Sequence, residues 1–182
     1  MRFIVAIGIT LVLISSFISC NQEPNTETVV KNYEAKSKES LVVANKYLTR
    51  TEDEDINNYI RRHQLEAFST GSGLRYAILK DGAGPRPKRG DIVTLNFKTR
   101  LISGDIIYSS DNEGPMVFEV GKGGIESGLE EAILHLHLGD QAVIILPSHL
   151  AFGLLGDQKK IPQRATVIHE IDFIKLSKKT IK

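Results

Sequence analysis

Between residues 93 and 98, apolar Val93, Leu95 and Phe97 alternate with polar Thr94, Asn96 and Lys98. That is the period of a strand with one buried face. Leu74 to Leu79 predicts an earlier strand, entered from the Ser69–Gly73 turn and left through Asp81-Gly82-Ala83-Gly84-Pro85, whose Asp-Gly and Gly-Pro steps favour turns. Ser103-Gly104-Asp105 predicts a hairpin turn returning through Ile106-Ile107-Tyr108, and Ala142 to Leu146 a short apolar strand that stops at Pro147. A last strand over Ala165 to Lys175 places Val167, His169, Ile171 and Phe173 on one face. Between these runs, Leu129, Ile133 and Leu136 recur at helical spacing within Glu126 to His137, closed by Gly139-Asp140. The expected fold class is α+β: an antiparallel sheet wrapped over one short helix.

The N-terminal third reads differently. Residues 21–32 are polar apart from Val29-Val30 and are expected to be a tether. Helix formers dominate from Tyr33 to Arg50, with Leu41, Ala44 and Leu48 on one face and Tyr47 beside them. Thr51-Glu52-Asp53-Glu54 has the form of a capping box, so a second helix is expected to start at Thr51. Ile56, Tyr59, Ile60 and His63 form its apolar stripe, and Arg61-Arg62 sit near its end. These helices can pair with each other, dock on the following domain or form a dimer arm; the pattern does not choose.

Composition narrows the chemistry. The 182 residues are 41% hydrophobic and 25% charged, with 23 lysines and arginines against 22 acids, so no nucleic-acid footprint is implied. One cysteine, Cys20, makes neither an internal disulfide nor a zinc cluster. The histidines show no metal-ligating spacing, and no cofactor is implied. Met1-Arg2 followed by an apolar run from Phe3 to Ile14, then Ser15 to Cys20 and an abruptly polar Asn21-Gln22-Glu23-Pro24, has the form of an export signal. Cys20 directly after Ser19 resembles the lipobox of bacterial lipoproteins, although Phe17 stands where leucine is commoner. That resemblance implies a signal over residues 1–19, lipidation at Cys20 and membrane attachment by acyl chains. An ordinary secreted protein or an uncleaved anchor are the alternatives.

The order of motifs in the C-terminal half resembles the FKBP-type peptidyl-prolyl cis-trans isomerases. Gly90-Asp91-Ile92-Val93-Thr94-Leu95-Asn96-Phe97 is similar to that family's first core strand, and Gly124-Ile125-Glu126-Ser127-Gly128-Leu129 to the loop and helix start beneath its proline pocket. Gly104, Tyr108-Ser109-Ser110 and Phe118-Glu119-Val120-Gly121 resemble its glycine turn and next strand. Leu150-Ala151-Phe152-Gly153 and Ile161-Pro162-Gln163-Arg164-Ala165-Thr166 resemble its tyrosine-glycine loop and isoleucine-proline turn. With the lipobox and the N-terminal helical region, the chain also resembles the gliding-motility-associated lipoprotein members of Bacteroidetes. The implied organisation is a signal at 1–19, a tether at 20–32, a helical extension at 33–70 and an FKBP-like domain at 71–182, with clear family motifs from about Arg89 to Leu176.

The resemblance implies a cup walled by Phe97, Ile107, Met116, Ile125, Leu129, Phe152, Ile161 and His169, with the backbone N–H of Glu126 holding a substrate carbonyl. It also marks departures. Phe97 stands for the family's tyrosine, Tyr108 for its aspartate, Met116 for a phenylalanine, Leu129 for the floor tryptophan, Phe152 for a hydroxyl-donating tyrosine and His169 for a phenylalanine. Tyr108 is expected to offer a hydroxyl from another direction, and His169 to bond to Tyr108 or a backbone carbonyl, with a role as donor to the bound peptide as the second reading. The implied activity is rotation of X–Pro bonds in envelope or exported clients. A non-catalytic proline-binding chaperone or scaffold, and a structural subunit of a motility or secretion assembly, are the competing readings. Oligomeric state is not legible.

Overall fold

The structure is a computed structural model and describes the backbone of residues 26–178 and the side chains of residues 36–178. The export signal, the lipobox with Cys20, and the tether before Thr26 lie outside the described residues. The chain falls into two compact units, residues 1–47 and 48–182. Helix α1, Thr26–Arg62, begins in the first and ends in the second. In the first unit Leu41, Val42, Val43 and Tyr47 are exposed. No described helix is long and apolar enough to cross a membrane.

Two expectations about this region are corrected. The helix starts inside the segment expected to be a tether, and it passes Thr51 without a break. No glycine or proline lies between Thr26 and Arg62. Extending an existing helix gains a hydrogen bond per residue, whereas restarting one costs a new nucleus, so the capping box is overrun. Its acids take other partners: Glu54 pairs with Arg50 at 2.9 Å, and Asp53 with Arg75 at 2.8 Å. The helix closes at Gln64, whose φ of 52° lets Leu65 N–H donate to Ile60 O at 3.1 Å.

The rest of the second unit is an antiparallel sheet with short helices, in agreement with the expected α+β class. Its strands are β1 (Phe68–Ser69), β2 (Arg75–Lys80), β3 (Ile92–Leu101), β4 (Ile106–Ser109), β5 (Met116–Glu119), β6 (Gln141–Leu146) and β7 (Val167–Ser177). They lie in the order β1-β2-β6-β7-β3-β4, with β5 also on β3. The long β3 therefore carries β5 along its first half and β4 along its second, while β7 pairs with its other edge throughout. Helix α2 (Ser110–Glu113) follows β4, and α3 (Ser127–Ile133) crosses beneath the sheet.

Helix α3 is shorter than the expected Glu126–His137 because its end tightens into i→i−3 bonds, such as His135 N–H to Ala132 O at 2.9 Å. The buried Asp140 carboxylate then accepts His137 N–H at 2.7 Å and Gly82 N–H at 2.6 Å. A Cβ at Gly82 would lie 2.5 Å from the Gly139 and Asp140 backbone, so only glycine lets the Asp81–Pro85 turn close there.

One face of the sheet is buried along its length, and the other is buried in part. Leu74, Leu95, Leu129, Ile133, Leu136, Ile144, Leu146, Val167 and Phe173 belong to the larger cluster around α3. On the opposite face Val143, Ile145 and Ile168 meet Ile56 and Tyr59 of α1 in a second cluster. This explains why β6 is buried at five successive positions rather than at alternate ones. The end of α1 thus docks on the sheet, one of the arrangements the sequence left open.

Candidate functional site

Around the open end of the larger cluster the chain brings together aromatic and aliphatic side chains from several elements. Alternation along β3 directs Phe97 inward, and it is 7% exposed. β4 contributes Ile107 and Tyr108, β5 contributes Met116, and the loop before α3 contributes Ile125. Leu129, on the first turn of α3, is fully buried at the floor. The loop between β6 and β7 adds Phe152, half-buried, and Ile161, buried. These eight residues pack in or against the larger core cluster, which does not include His169, also expected in the cup wall. Gly128 allows the floor to close: a Cβ there would come within 2.6 Å of Leu146 and 2.9 Å of Leu150.

The polar groups differ from expectation. The Tyr108 hydroxyl donates to Asp157 Oδ2, a carboxylate in the Phe152–Ile161 loop, rather than pointing into the cup as a free donor. The Asp157 Oδ1 atom accepts the backbone N–H groups of Lys159 and Lys160 at 2.9 Å each and of Ile161 at 2.7 Å. The hydrogen bond to Asp157, with burial and the carboxylate's charge, pushes the Tyr108 phenol up to about 12. Burial pushes the Asp157 carboxyl up, but the Tyr108 hydroxyl and the three N–H groups outweigh it and hold the acid at about 2. The Lys160 ammonium stands 5.0 Å from the Tyr108 ring centroid, adding a cation–π contact to the same corner.

His169 is buried, 1% exposed, but bonds neither to Tyr108 nor to a backbone carbonyl. Its Nδ1 shares a hydrogen bond of 3.0 Å with Thr99 Oγ1. The reason is register: Thr99 and His169 are direct cross-strand partners on β3 and β7, so their side chains leave the sheet on the same side. Its Nε2 faces Glu126 Oε1 at 3.6 Å, beyond hydrogen-bond length, and has no hydrogen-bond partner among the described residues.

Glu126 occupies the N-cap of α3 in an extended conformation, φ −60° and ψ 134°, yet its side chain makes no capping bond. The carboxylate turns inward to the imidazole, and its side chain is only 10% exposed. Burial pushes this carboxyl up, while the imidazole and the residue's own backbone N–H pull it down further, so that it sits below its ordinary value. The floor of the cup therefore has a polar edge, Thr99–His169–Glu126, beside the backbone position expected to hold a carbonyl.

Three functionally placed residues were not singled out from the sequence: Thr99, Asp157 and Glu52. Thr99 was signalled, because it continues the Val93-Leu95-Phe97 alternation. Asp157, two to four residues before the N–H groups it accepts, has the spacing of a side chain that organises its own turn. Glu52 carried no signal, since its partners Ser148 and Thr166 lie 96 and 114 residues away.

A cavity of about 480 Å³ opens beside Phe97, lined by polar Asn96, Lys98, Glu170 and Asp172 and by apolar Leu79, Ala142 and Ile171. Its several charged groups suit a proline ring less well than an apolar wall does. The apolar cup is the candidate site.

Comparison with known proteins agrees in extent and fold. A family model described as FKBP-type peptidyl-prolyl cis-trans isomerase matches residues 84–174. The probable FKBP-type peptidyl-prolyl cis-trans isomerase FkpA of Neisseria meningitidis serogroup B is 36% identical over 109 residues, covering 59% of this chain and 39% of that protein. FK506-binding protein 1 of Rhizopus delemar is 32% identical over 107 residues, covering 58% of this chain and 99% of that protein. The chain therefore matches well under half of the Neisseria relative's length but nearly all of the Rhizopus one. The crystal structure of FkpA from Escherichia coli is similar in fold, with a TM-score of 0.62 at 22% identity, over 98% of this chain and 83% of that one.

Proposed function

The chain belongs to the FKBP-type peptidyl-prolyl cis-trans isomerase family, and from that membership we propose that its cup catalyses rotation about X–Pro bonds. The uncatalysed barrier is about 18–20 kcal/mol because amide resonance favours planarity, and unaided exchange takes tens of seconds or longer. The reaction needs no nucleophile and no net proton transfer. It needs a site that binds the twisted amide, with its reduced C–N double-bond character, more tightly than either planar form. A dry apolar cup disfavours the more polar planar amide, and a fixed N–H at Glu126 orients the neighbouring carbonyl. The observation that carries the reading is the convergence of Phe97, Tyr108, Met116, Leu129, Phe152 and Ile161, among others, on one cluster with Tyr108, Met116 and Phe152 only half-buried.

The clients proposed are proline-containing envelope or exported proteins. The chain is held at the membrane by acyl chains on Cys20, as in the gliding-motility-associated lipoproteins it resembles. Support comes from the sequence at Met1–Cys20. Labelling with radioactive palmitate tests the anchor: incorporation is expected in the wild type and lost in C20A, and equal labelling would refute it.

Turnover is tested with a proline tetrapeptide and the full chain in detergent. Faster cis–trans relaxation with micromolar protein is expected. A second reading, proline binding without fast turnover, is favoured by one observation: Phe152 has no hydroxyl and that of Tyr108 is taken by Asp157. Unchanged relaxation together with saturable peptide binding that is blocked by filling the cup would select it.

A further inference from the structure

The loop between Ser148 and Thr166 packs Phe152 and Ile161 on the larger cluster, while Leu154 and Leu155 at its outer end are 65% and 74% exposed. Polar ties add to that packing. Within the loop, Gly153 N–H donates to Ser148 O at 2.7 Å and Arg164 N–H to Gly153 O at 2.8 Å, closing the neck. At the tip Asp157 gathers three N–H groups and the Tyr108 hydroxyl. At the base both ends of the loop meet one side chain from α1. The Glu52 carboxylate accepts Ser148 N–H at 2.6 Å, the Ser148 hydroxyl at 3.0 Å and the Thr166 hydroxyl at 2.8 Å. Ser148 and Thr166 are themselves buried, 8% and 5% exposed, so these groups have little access to water should Glu52 withdraw.

We propose that Glu52 is a positioning residue for the cup, a single carboxylate on α1 that clamps the two ends of the loop presenting Phe152 and Ile161. The proposal rests on the isomerase reading of the cup and adds to it a dependence on the N-terminal helix. Hydrogen bonds to a charged acceptor are the stronger kind, and closing both ends of a segment on one group restricts all the chain between them. Without the clamp the loop samples positions in which Phe152 and Ile161 no longer face Phe97 and Leu129 together. Peptide binding should weaken before the fold is lost.

Asp53 provides the control. It sits beside Glu52 on the same helix and ties that helix to β2 through Arg75 at 2.8 Å, without touching the loop. In the tetrapeptide assay on the full chain, at a temperature where circular dichroism shows every variant folded, E52A is expected to raise KM about tenfold and D53A to change it less than about twofold. E52Q, which keeps a carbonyl acceptor, should fall between E52A and wild type. T166V, which removes one bond at the far end, carries the same expectation at smaller size should E52A not fold. Equal KM shifts in E52A and D53A, or none in E52A, would overturn the proposal. Hydrogen exchange separates this failure from failure of the isomerase reading. Amides of residues 151–165 should exchange faster in E52A and not in D53A even if the wild type proves inactive on peptides, and identical exchange in the two variants would sink the clamp.

Discussion

Along β7, neighbouring residues serve opposite sides of the sheet. Val167, Ile171 and Phe173 pack into the cluster under the cup, while Ile168 meets Ile56 and Tyr59 of α1. The cup side is broad, fed by six strands, helix α3 and the loop, and Tyr108, Met116 and Phe152 at its edge remain half-buried. The α1 side is small and closed: Val143, Ile145 and Ile168 against Ile56 and Tyr59, flanked by Ile60, Leu65 and Ile102. The difference teaches a division of labour. The first side leaves several of its large side chains partly exposed, whereas the second buries its own. Glu52 at the border of the second accepts hydrogen bonds from Ser148 and Thr166, at the ends of a loop that packs on the first.

The largest expected effects come from cutting each side at its most buried side chain. L129A on the cup side should lower unfolding stability by about 2–5 kcal/mol and also reduce proline-peptide binding, because it enlarges the floor. I56A on the α1 side should cost a comparable amount, about 2–5 kcal/mol, yet leave peptide KM near wild type where the protein is still folded. Urea unfolding with tetrapeptide kinetics on both variants checks the contrast. If I56A changes KM as much as L129A does at equal foldedness, the division is wrong.

A middle-sized effect is expected at the corner joining Tyr108 to Asp157. The Asp157 carboxyl is held at about 2, below its ordinary value of 3.8. A depressed folded-state value means that the stabilisation is present above the unfolded value and is lost as pH falls through the folded one. Stability measured by urea midpoint should therefore decline between about pH 4 and about pH 2 more steeply in wild type than in D157N. At the alkaline end the Tyr108 phenol, raised to about 12, contributes stability that is complete below 10 and lost as pH rises through 12. Y108F should abolish that alkaline part and cost about 1 kcal/mol at neutral pH, the corner being partly exposed to solvent. Parallel pH profiles for wild type and both variants would show that the corner contributes nothing.

The smallest effect is expected at the polar edge of the floor. In H169F the phenyl ring cannot hold Thr99 Oγ1, so that buried hydroxyl loses its partner, and Glu126 loses its neighbouring imidazole. H169F alone should destabilise by about 1 kcal/mol, and T99V/H169F should regain part of that loss because the orphaned hydroxyl is gone. The Glu126 carboxyl, freed of the imidazole, should titrate at a higher pH in H169F, measurable by carbon-13 NMR of its side chain. An unmoved titration would show that the imidazole does not act on Glu126.

Much of the cup was legible because it is made of short-range patterns. Alternation along β3 and β7 oriented Phe97 and His169, and helical spacing placed Leu129 inward. Motif order then assigned those positions to a proline pocket. Side-chain partners were less legible. Tyr108 and His169 were each expected to bond otherwise, and only the loop's path and the β3–β7 register set Asp157 and Thr99 opposite them. The capping box at Thr51 was read correctly as a local signal and lost to helix continuity, since nothing on its N-terminal side stops the helix.

By itself the sequence determined the α+β class, the family, the inward faces of β3 and β7 and the residues available to wall a cup. The class and the strand faces follow from periods of two and of three to four residues, which are local and survive any arrangement of the elements. The family and the cup residues come from the order of motifs. Only the tertiary structure decided that the end of α1 covers part of the second face of the sheet, that Glu126 turns its carboxylate to His169, and that Glu52 bonds to both ends of the Phe152–Ile161 loop. The physical reason is distance along the chain. A hydrogen bond between Glu52 and Thr166 spans 114 residues, and no local preference in either segment encodes where the other will be.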